Sequence, residues 1–229
     1  MKKTRWIWHK YQINLTVLLL TYALMLLQRI VNQRHTDISM CWDSTFHEMA
    51  FAGSWLPLFL LSHVLMQKHL LEPEWIVRVG DISKAVRRSF WQSVRLAVWY
   101  AFCLESGFVV IMGIGNTEVW KQTYMQYLPE HFFLQAVGWT AFGVLETCCL
   151  LGTRRVLFSF CILELILTGI NLSNYLGMGW KPEKWVRPLD LMFRLPEIQN
   201  QMAGCSTFFM ECFAVFAAIW LSDSFLKRR

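Results

Sequence analysis

Six stretches of this chain are long and apolar enough to cross a lipid bilayer as helices. Each is close to the roughly 20 residues that a helix needs to span about 30 Å of hydrocarbon. The six windows are residues 13–31, 48–66, 92–113, 131–151, 156–173 and 203–222. The whole chain is 55% hydrophobic and 17% charged, which is more apolar than a soluble domain of this size usually is. The sequence predicts an all-α polytopic membrane protein, a single six-helix transmembrane domain over residues 1–229.

The basic residues are concentrated in four segments outside these windows. The segments are the N-terminus, the loop 67–91, the turn at Arg154 and Arg155, and the C-terminal tail, and they hold most of the 22 Lys and Arg residues. Positive charge in short loops marks the side of the membrane that is not translocated. We therefore predict that both termini and the loop 67–91 are cytoplasmic. The net charge of +6 is mainly a topology signal, so nucleic-acid binding is not needed to explain it.

The N-terminus has the order of charge and apolar residues that a secretory signal peptide also has. No small-residue cleavage site follows the apolar run, where Gln28, Arg29 and Ile30 stand instead. We therefore expect a first span that is retained. Residues 1–12 mix Trp6, Trp8 and other aromatic residues with Lys and Arg, which predicts an amphipathic helix at the membrane interface.

The loop 67–91 combines an apolar stripe with positive charge on the other faces. The stripe residues, at helical spacing, are Trp75, Val79, Ile82, Val86 and Phe90. Gly80 followed by Asp81 and Ser83 is typical of a helix stop and a new N-cap, which predicts a second helix that runs into the third span. The segment is suited to a partner's groove or to the membrane surface. An ordinary basic loop at the lipid surface is the alternative interpretation.

Four acidic side chains fall within the last four apolar windows. They are Glu105, Glu146, Glu164 and Glu211. A charge at the centre of a lipid-facing helix costs a few kcal/mol, so these residues should face the bundle interior, a partner or water. Two interpretations stay open. The glutamates line a path for a cationic substrate or protons, or they join helices through hydrogen bonds, with Thr140, Thr147, Thr168 and Ser206 as candidate donors.

Other chemistry is sparse in the sequence. His63 lies in the second window after Pro57, where the missing amide predicts a kink, and we expect an interfacial hydrogen bond there rather than haem ligation. Most of the seven cysteines lie in apolar windows as small fillers, and pairing of Cys41 with Cys205 stays open. No zinc spacing, phosphate loop or hydrolase motif occurs, so we predict no catalytic, cofactor or metal residues. Residues 174–202 carry Trp and Pro and predict an outer interfacial or re-entrant segment.

The topology and the loop together resemble the membrane subunit of type-2 ABC exporters. The segment EPEWIVRVGDISKAVRRSFWQ is similar to the loop of small peptide- and bacteriocin-export permeases of Gram-positive bacteria, where an apolar piece, an Arg and a Gly-Asp or Gly-Ser precede a basic run. The resemblance implies a bacterial plasma-membrane permease without enzymatic activity of its own. It implies an ABC ATPase that holds ATP and Mg, a second permease subunit, identical or homologous, and a peptide, lipid or drug as substrate.

The same resemblance implies roles for individual residues in the loop. The ATPase-coupling contact would be made by Trp75, Ile76, Val77, Arg78, Val79, Gly80 and Asp81. Arg87 and Arg88 would anchor the start of the next span. The number of intramembrane glutamates departs from the family pattern. Two alternatives from other classes therefore stay open: an ion-coupled secondary carrier that uses the glutamates, and a membrane scaffold or immunity protein.

Overall fold

The computed structural model describes residues 2–31, 38–71, 82–113, 122–172 and 192. These residues are helical almost throughout and contain no strand. The main helices are α1 (Lys2–Val31), α2 (Ile38–Phe46), α3 (Leu56–Gln67), α4 (Ile82–Gly113), α5 (Gln122–Thr153) and α6 (Val156–Leu172). A single α-turn (Glu48–Ala50) and a π-helical turn (Phe51–Trp55) lead into α3, which continues into a 3-10 turn (Lys68–Leu71).

Three of the helices are long and apolar enough to cross a membrane. Their apolar parts are Tyr11–Ile30, Arg87–Ile111 and His131–Thr153, and Val156–Ile170 is apolar but shorter. The prediction of an all-helical chain with apolar helices of membrane-spanning length is confirmed for the described residues. The second window, 48–66, is helical from Glu48 to Gln67 but changes helix type within it. The sixth window lies outside the described residues, so six spans and cytoplasmic termini stay predictions.

Helix α1 runs from the N-terminal basic residues through the first span without a break. The amphipathic segment predicted over residues 1–12 is therefore the first part of a 30-residue helix rather than a separate one. One stripe of α1, Val17, Thr21 and Met25, is buried, whereas leucines on its other faces are exposed. The buried stripe meets α4 at Gly107, where an added Cβ would lie 2.8 Å from Met25 Sδ. A glycine at this position lets the two helices approach closely.

The helix changes type just before Pro57, the position at which the sequence predicts a kink. Proline has no N–H with which to continue the α-helical hydrogen-bond pattern. The N–H of the preceding residue, Leu56, bonds to the carbonyl of Phe51, five residues back, which is the π-helical pattern. The π-helical turn places both Phe51 and Trp55 in the core, fully buried. The Tyr100 hydroxyl of α4 donates to the Trp55 carbonyl over 2.7 Å, which ties the turn to the next helix.

Helix α4 begins at Ile82, which confirms the predicted helix that continues into the third span. Helices α5 and α6 form the tight hairpin expected from the short connection between their windows. The hairpin turns at Arg154, which has φ of 58° and whose N–H bonds to the Leu150 carbonyl at 2.9 Å. This left-handed residue ends α5 and allows α6 to start at Val156.

A layer of aromatic rings occupies the centre of the bundle. We call the fully buried rings of Phe59 on α3, Tyr100 on α4 and Trp139 on α5 the aromatic layer. The ring centroids of Phe59 and Tyr100 each lie 4.8 Å from that of Trp139, and Tyr100 meets Trp139 edge-on at 90°. Phe51 stacks on the same indole at 5.8 Å. The layer joins three helices and separates two groups of buried polar side chains.

Candidate functional site: two buried polar clusters

The first polar group, here the loop-side cluster, lies toward the end of α3 and the start of α4, the two helices that flank residues 72–81 in the chain. It consists of His63, Gln67, Ser89, Ser93 and Glu146. His63 Nδ1 lies 2.9 Å from Glu146 Oε2, and His63 Nε2 lies 2.8 Å from Ser93 Oγ. The side chains of His63 and Glu146 are both 0% exposed. The imidazole therefore connects α3 to α4 and α5 through bonds at both ring nitrogens.

Helical spacing explains how these residues come together. His63 and Gln67 are four residues apart on α3, and Ser89 and Ser93 are four apart on α4, so each pair shares one helix face. Gln67 Nε2 donates to the Ser89 carbonyl at 3.0 Å, and Ser89 Oγ donates to Gln67 Oε1 at 3.2 Å. This reciprocal pair, which we call the clamp, joins the helix before the segment 72–81 to the helix after it.

Hydrogen-bond geometry places a proton between His63 and Glu146. Ser93 Oγ lies 3.2 Å from the Ser89 carbonyl and can donate to it. His63 Nε2–H must then donate to Ser93, and Nδ1 bonds either to a protonated carboxyl or, as imidazolium, to a carboxylate. If Ser93 donates to Nε2 instead, Nδ1–H donates to Glu146. Every arrangement that satisfies both contacts has one proton in the His63–Glu146 bond.

Gly143 makes room for the His63 ring against α5. A Cβ at this position would lie 3.0 Å from His63 Nε2 and 3.3 Å from Ser93 Cβ, which is tighter than ordinary van der Waals contact. On its other side the ring stacks on Phe59, with centroids 5.9 Å apart and planes 22° apart. Ser159 of α6 donates to the backbone carbonyl of Glu146 at 3.3 Å. The imidazole is thus held by packing as well as by hydrogen bonds.

The second polar group, here the opposite cluster, lies on the other side of the aromatic layer. It consists of Glu105 on α4 and of His131 and Gln135 on α5, and all three are at least nine-tenths buried. Gln135 Nε2 donates to Glu105 Oε1 over 2.6 Å. His131 is one helical turn from Gln135, and its ring centroid lies 4.9 Å from that of Trp42 on α2. Trp42 also contacts Phe108, one turn beyond Glu105, at 4.9 Å.

The glutamates that the structure describes do not form one continuous row across the bundle. Along α5, Gln135, Trp139 and Glu146 recur at helical spacing, so the aromatic layer lies between the two clusters. Glu164 on α6 is only half-buried and accepts a bond from Thr168 at 3.1 Å, and it lies near enough to Glu146 for electrostatic interaction. The opposite cluster is thus separate from the loop-side cluster.

The outcomes for the remaining sequence predictions differ. Thr168 donates to Glu164 as a candidate donor should, but both residues lie on α6, so the bond does not join helices. The prediction is wrong for Thr140 and Thr147, which donate to carbonyls one turn back on their own helix. His63 is hydrogen-bonded, as expected, and is buried within the bundle. Arg87 and Arg88 are exposed in the first turns of α4. Several predictions lie outside the described residues: the contact Trp75–Asp81, Ser206, Glu211, Cys205 and, apart from Met192, the segment 174–202.

Sequence reasoning missed the partners of the glutamates. They are His63 for Glu146 and Gln135 for Glu105. A usable signal was present, because polar residues spaced four apart recur in otherwise apolar helices at 63 and 67, 89 and 93, and 131 and 135. Gly143 gave no signal, since its role depends on which ring lies against it.

The chemistry available in these clusters is that of hydrogen bonds and proton sharing. Within the described ranges, no group of three or more His, Cys, Asp or Glu side chains is placed to hold a metal ion. The loop-side cluster joins α3, α4 and α5 by hydrogen bonds, and the opposite cluster contains buried polar atoms without a partner among the described residues. Comparisons with protein-family models, curated proteins and solved structures gave no match for this chain.

Proposed function

We propose that the chain is the permease subunit of an ATP-binding-cassette exporter. It forms the translocation path together with a second permease subunit, and a separate ATPase subunit binds ATP and Mg and supplies the energy. The observation that carries this proposal is the clamp between Gln67 and Ser89. It connects both ends of the segment that resembles an ATPase-coupling loop to the buried His63–Glu146 pair.

The clamp provides a mechanical route from that segment to the bundle interior. An ATPase that presses on residues 72–81 moves the end of α3 and the start of α4 together, because the clamp joins them. His63 and Ser93 lie one turn further along the same two helices, and His63 is bonded to Glu146 on α5. The displacement therefore reaches three helices through direct bonds. The aromatic layer beyond them is placed to close the path in one conformation and to open in another.

Charge at the start of α4 supports a membrane-surface position for the loop. Lys84, Arg87 and Arg88 are exposed in its first two turns, and Trp91 follows them with 54% of its surface exposed. Basic side chains are attracted to anionic headgroups of the cytoplasmic leaflet, and Trp prefers the interface. In the proposed arrangement these residues hold α4 at the membrane surface while the coupling contact turns toward the ATPase.

A second candidate function is an ion-coupled carrier that needs no ATPase. The observation in its favour is the burial of Glu105 and Glu146 on two sides of the aromatic layer, with a proton in the His63–Glu146 bond. Purified chain that moves a substrate into vesicles under a proton or cation gradient alone would favour this candidate. Transport that requires ATP and a second protein would exclude it.

The direct test is photo-crosslinking in the native host. A crosslinking amino acid at Val79, in the proposed coupling contact, should capture a protein with a phosphate-binding loop. The matched control is the same crosslinker at Leu165 on α6, which is 73% exposed and apolar and should capture no ATPase. The proposal is overturned if Val79 captures no ATPase while a known ABC complex, treated in parallel, retains its own.

A further inference from the structure

The opposite cluster contains buried polar atoms that have no hydrogen-bond partner among the residues that the structure describes. They are Glu105 Oε2, Gln135 Oε1 and both ring nitrogens of His131. An unpartnered polar atom in the interior costs about 1–3 kcal/mol, so nearly all such atoms in native structures have a hydrogen-bond partner. Three of these four atoms can be acceptors at once, on three neighbouring side chains, and they indicate a site for a ligand that donates hydrogen bonds.

The chemistry of the unpartnered atoms defines that ligand. A carboxylate oxygen and an amide oxygen are acceptors, and neutral imidazole has one acceptor nitrogen. Glu105 forms no ion pair with any Lys or Arg in the part of the chain that the structure describes. When Glu105 is ionised, these three acceptors and its negative charge suit a primary ammonium group, which has three N–H donors and one positive charge. The indole of Trp42 beside His131 adds a ring that attracts cations.

We propose that Glu105, Gln135 and His131 bind the primary ammonium group of the transported substrate, a peptide N-terminus, a lysine side chain or another amine. Transport of the bound amine rests on the proposed function, whereas the binding of an ammonium group does not. The aromatic layer separates this site from the loop-side cluster. A bound amine is therefore held on the side of the layer away from the coupling segment.

Two rival occupants differ from a primary ammonium in measurable ways. A water molecule satisfies the same acceptors but leaves the charge of Glu105 uncompensated, and it would make the site indifferent to added amines. A quaternary ammonium carries the charge and has affinity for Trp42 but has no N–H to donate. The number of N–H donors therefore separates hydrogen-bonded recognition from general attraction of cations into an apolar protein.

The experiment uses the full-length chain in nanodiscs of zwitterionic lipid, with empty nanodiscs as the blank. Binding of 4-fluorobenzylammonium is followed by ¹⁹F NMR and compared with 4-fluorobenzyl alcohol and 4-fluorobenzyltrimethylammonium. The primary amine should bind at least roughly tenfold more tightly than either analogue. Glu105→Gln should lose that preference, and Glu164→Gln, a matched change at a half-buried glutamate bonded within its own helix, should keep it.

The outcomes separate this inference from the proposed function. Equal binding of the three probes to wild-type chain overturns the ammonium site, and this comparison needs no variant to fold. Unchanged preference in Glu105→Gln also overturns it. Capture of an ATPase at Val79 without amine binding contradicts the ammonium site alone, and amine binding without an ATPase supports the site and contradicts the exporter.

Discussion

Mutation of His63 and Glu146 should show that the hydrogen bond between them is stronger than an ordinary hydrogen bond between membrane helices. The perturbation is a double-mutant cycle of His63→Phe and Glu146→Leu. Each single change removes one partner of a fully buried pair and leaves the other unsatisfied. His63→Phe also removes the ring bond to Ser93, and Glu146 Oε1 already has no partner among the described residues.

The expected magnitude follows from this burial. Each single variant should lose about 2–3 kcal/mol of unfolding free energy, because the remaining polar group is buried without its partner. The double variant replaces both groups by apolar side chains of similar shape and should be less destabilised than the sum. We expect a coupling energy of about 2 kcal/mol. Neutral bonds between membrane helices average about 0.6 kcal/mol and reach at most about 1.7.

The assay is reversible unfolding of the purified chain in mixed micelles, titrated with SDS and followed by far-UV circular dichroism. A parallel cycle at Glu164 and Thr168 provides the control, because their bond is local and half-buried and should couple by only about 0.2–0.5 kcal/mol. A His63–Glu146 coupling no larger than the control value would refute the reasoning that this pair is a central link between helices.

Three further predictions concern the same bundle. Gly143→Ala should lower the unfolding free energy by about 1–3 kcal/mol relative to Gly152→Ala. The Cβ added at position 143 meets the His63 ring, whereas the Cβ added at position 152 meets nothing within 4 Å. Equal stabilities of the two variants would contradict this. Gln67→Leu should cost about 1–2 kcal/mol in the same assay by leaving the Ser89 hydroxyl without its acceptor, yet the crosslinked ATPase should still be captured. Loss of capture would place Gln67 in the contact itself. Arg154→Gly should raise stability by about 1 kcal/mol, since glycine adopts its left-handed φ of 58° without strain, and a destabilised variant would contradict this account of the turn.

Sequence patterns were sufficient to predict the helices but not the buried contacts between them. The apolar windows predicted α1, α4, α5 and α6 because membrane-length hydrophobicity is a property of each segment by itself. The helix start near Ile82 followed from the local order of Gly80, Asp81 and Ser83. These features depend on neighbours in the chain and can be predicted without knowing the packing.

The buried clusters depend on packing between helices, which a single sequence does not specify. The cost of burying Glu105 and Glu146 predicted that they have partners, but the partners lie 30 and 83 residues away. Thr140 and Thr147 were plausible donors by residue type, yet each bonds to the carbonyl one turn back on its own helix. Rotation of each helix about its axis decides between these outcomes, and apolar periodicity is weak in helices that are hydrophobic on every face.

The most direct test of the link between the loop and the interior is a distance measurement on the complex with the captured ATPase. Genetically encoded spin labels replace Lys84 and Gly152, which are both exposed. Lys84 is near the start of α4 and Gly152 near the end of α5, so the two labels lie at the same end of the bundle. We predict that adding ATP and Mg shifts the distance between the labels when the Gln67–Ser89 clamp is intact. The shift should disappear in Gln67→Leu, although the ATPase remains bound. A nucleotide-dependent shift of equal size with and without the clamp would contradict the account.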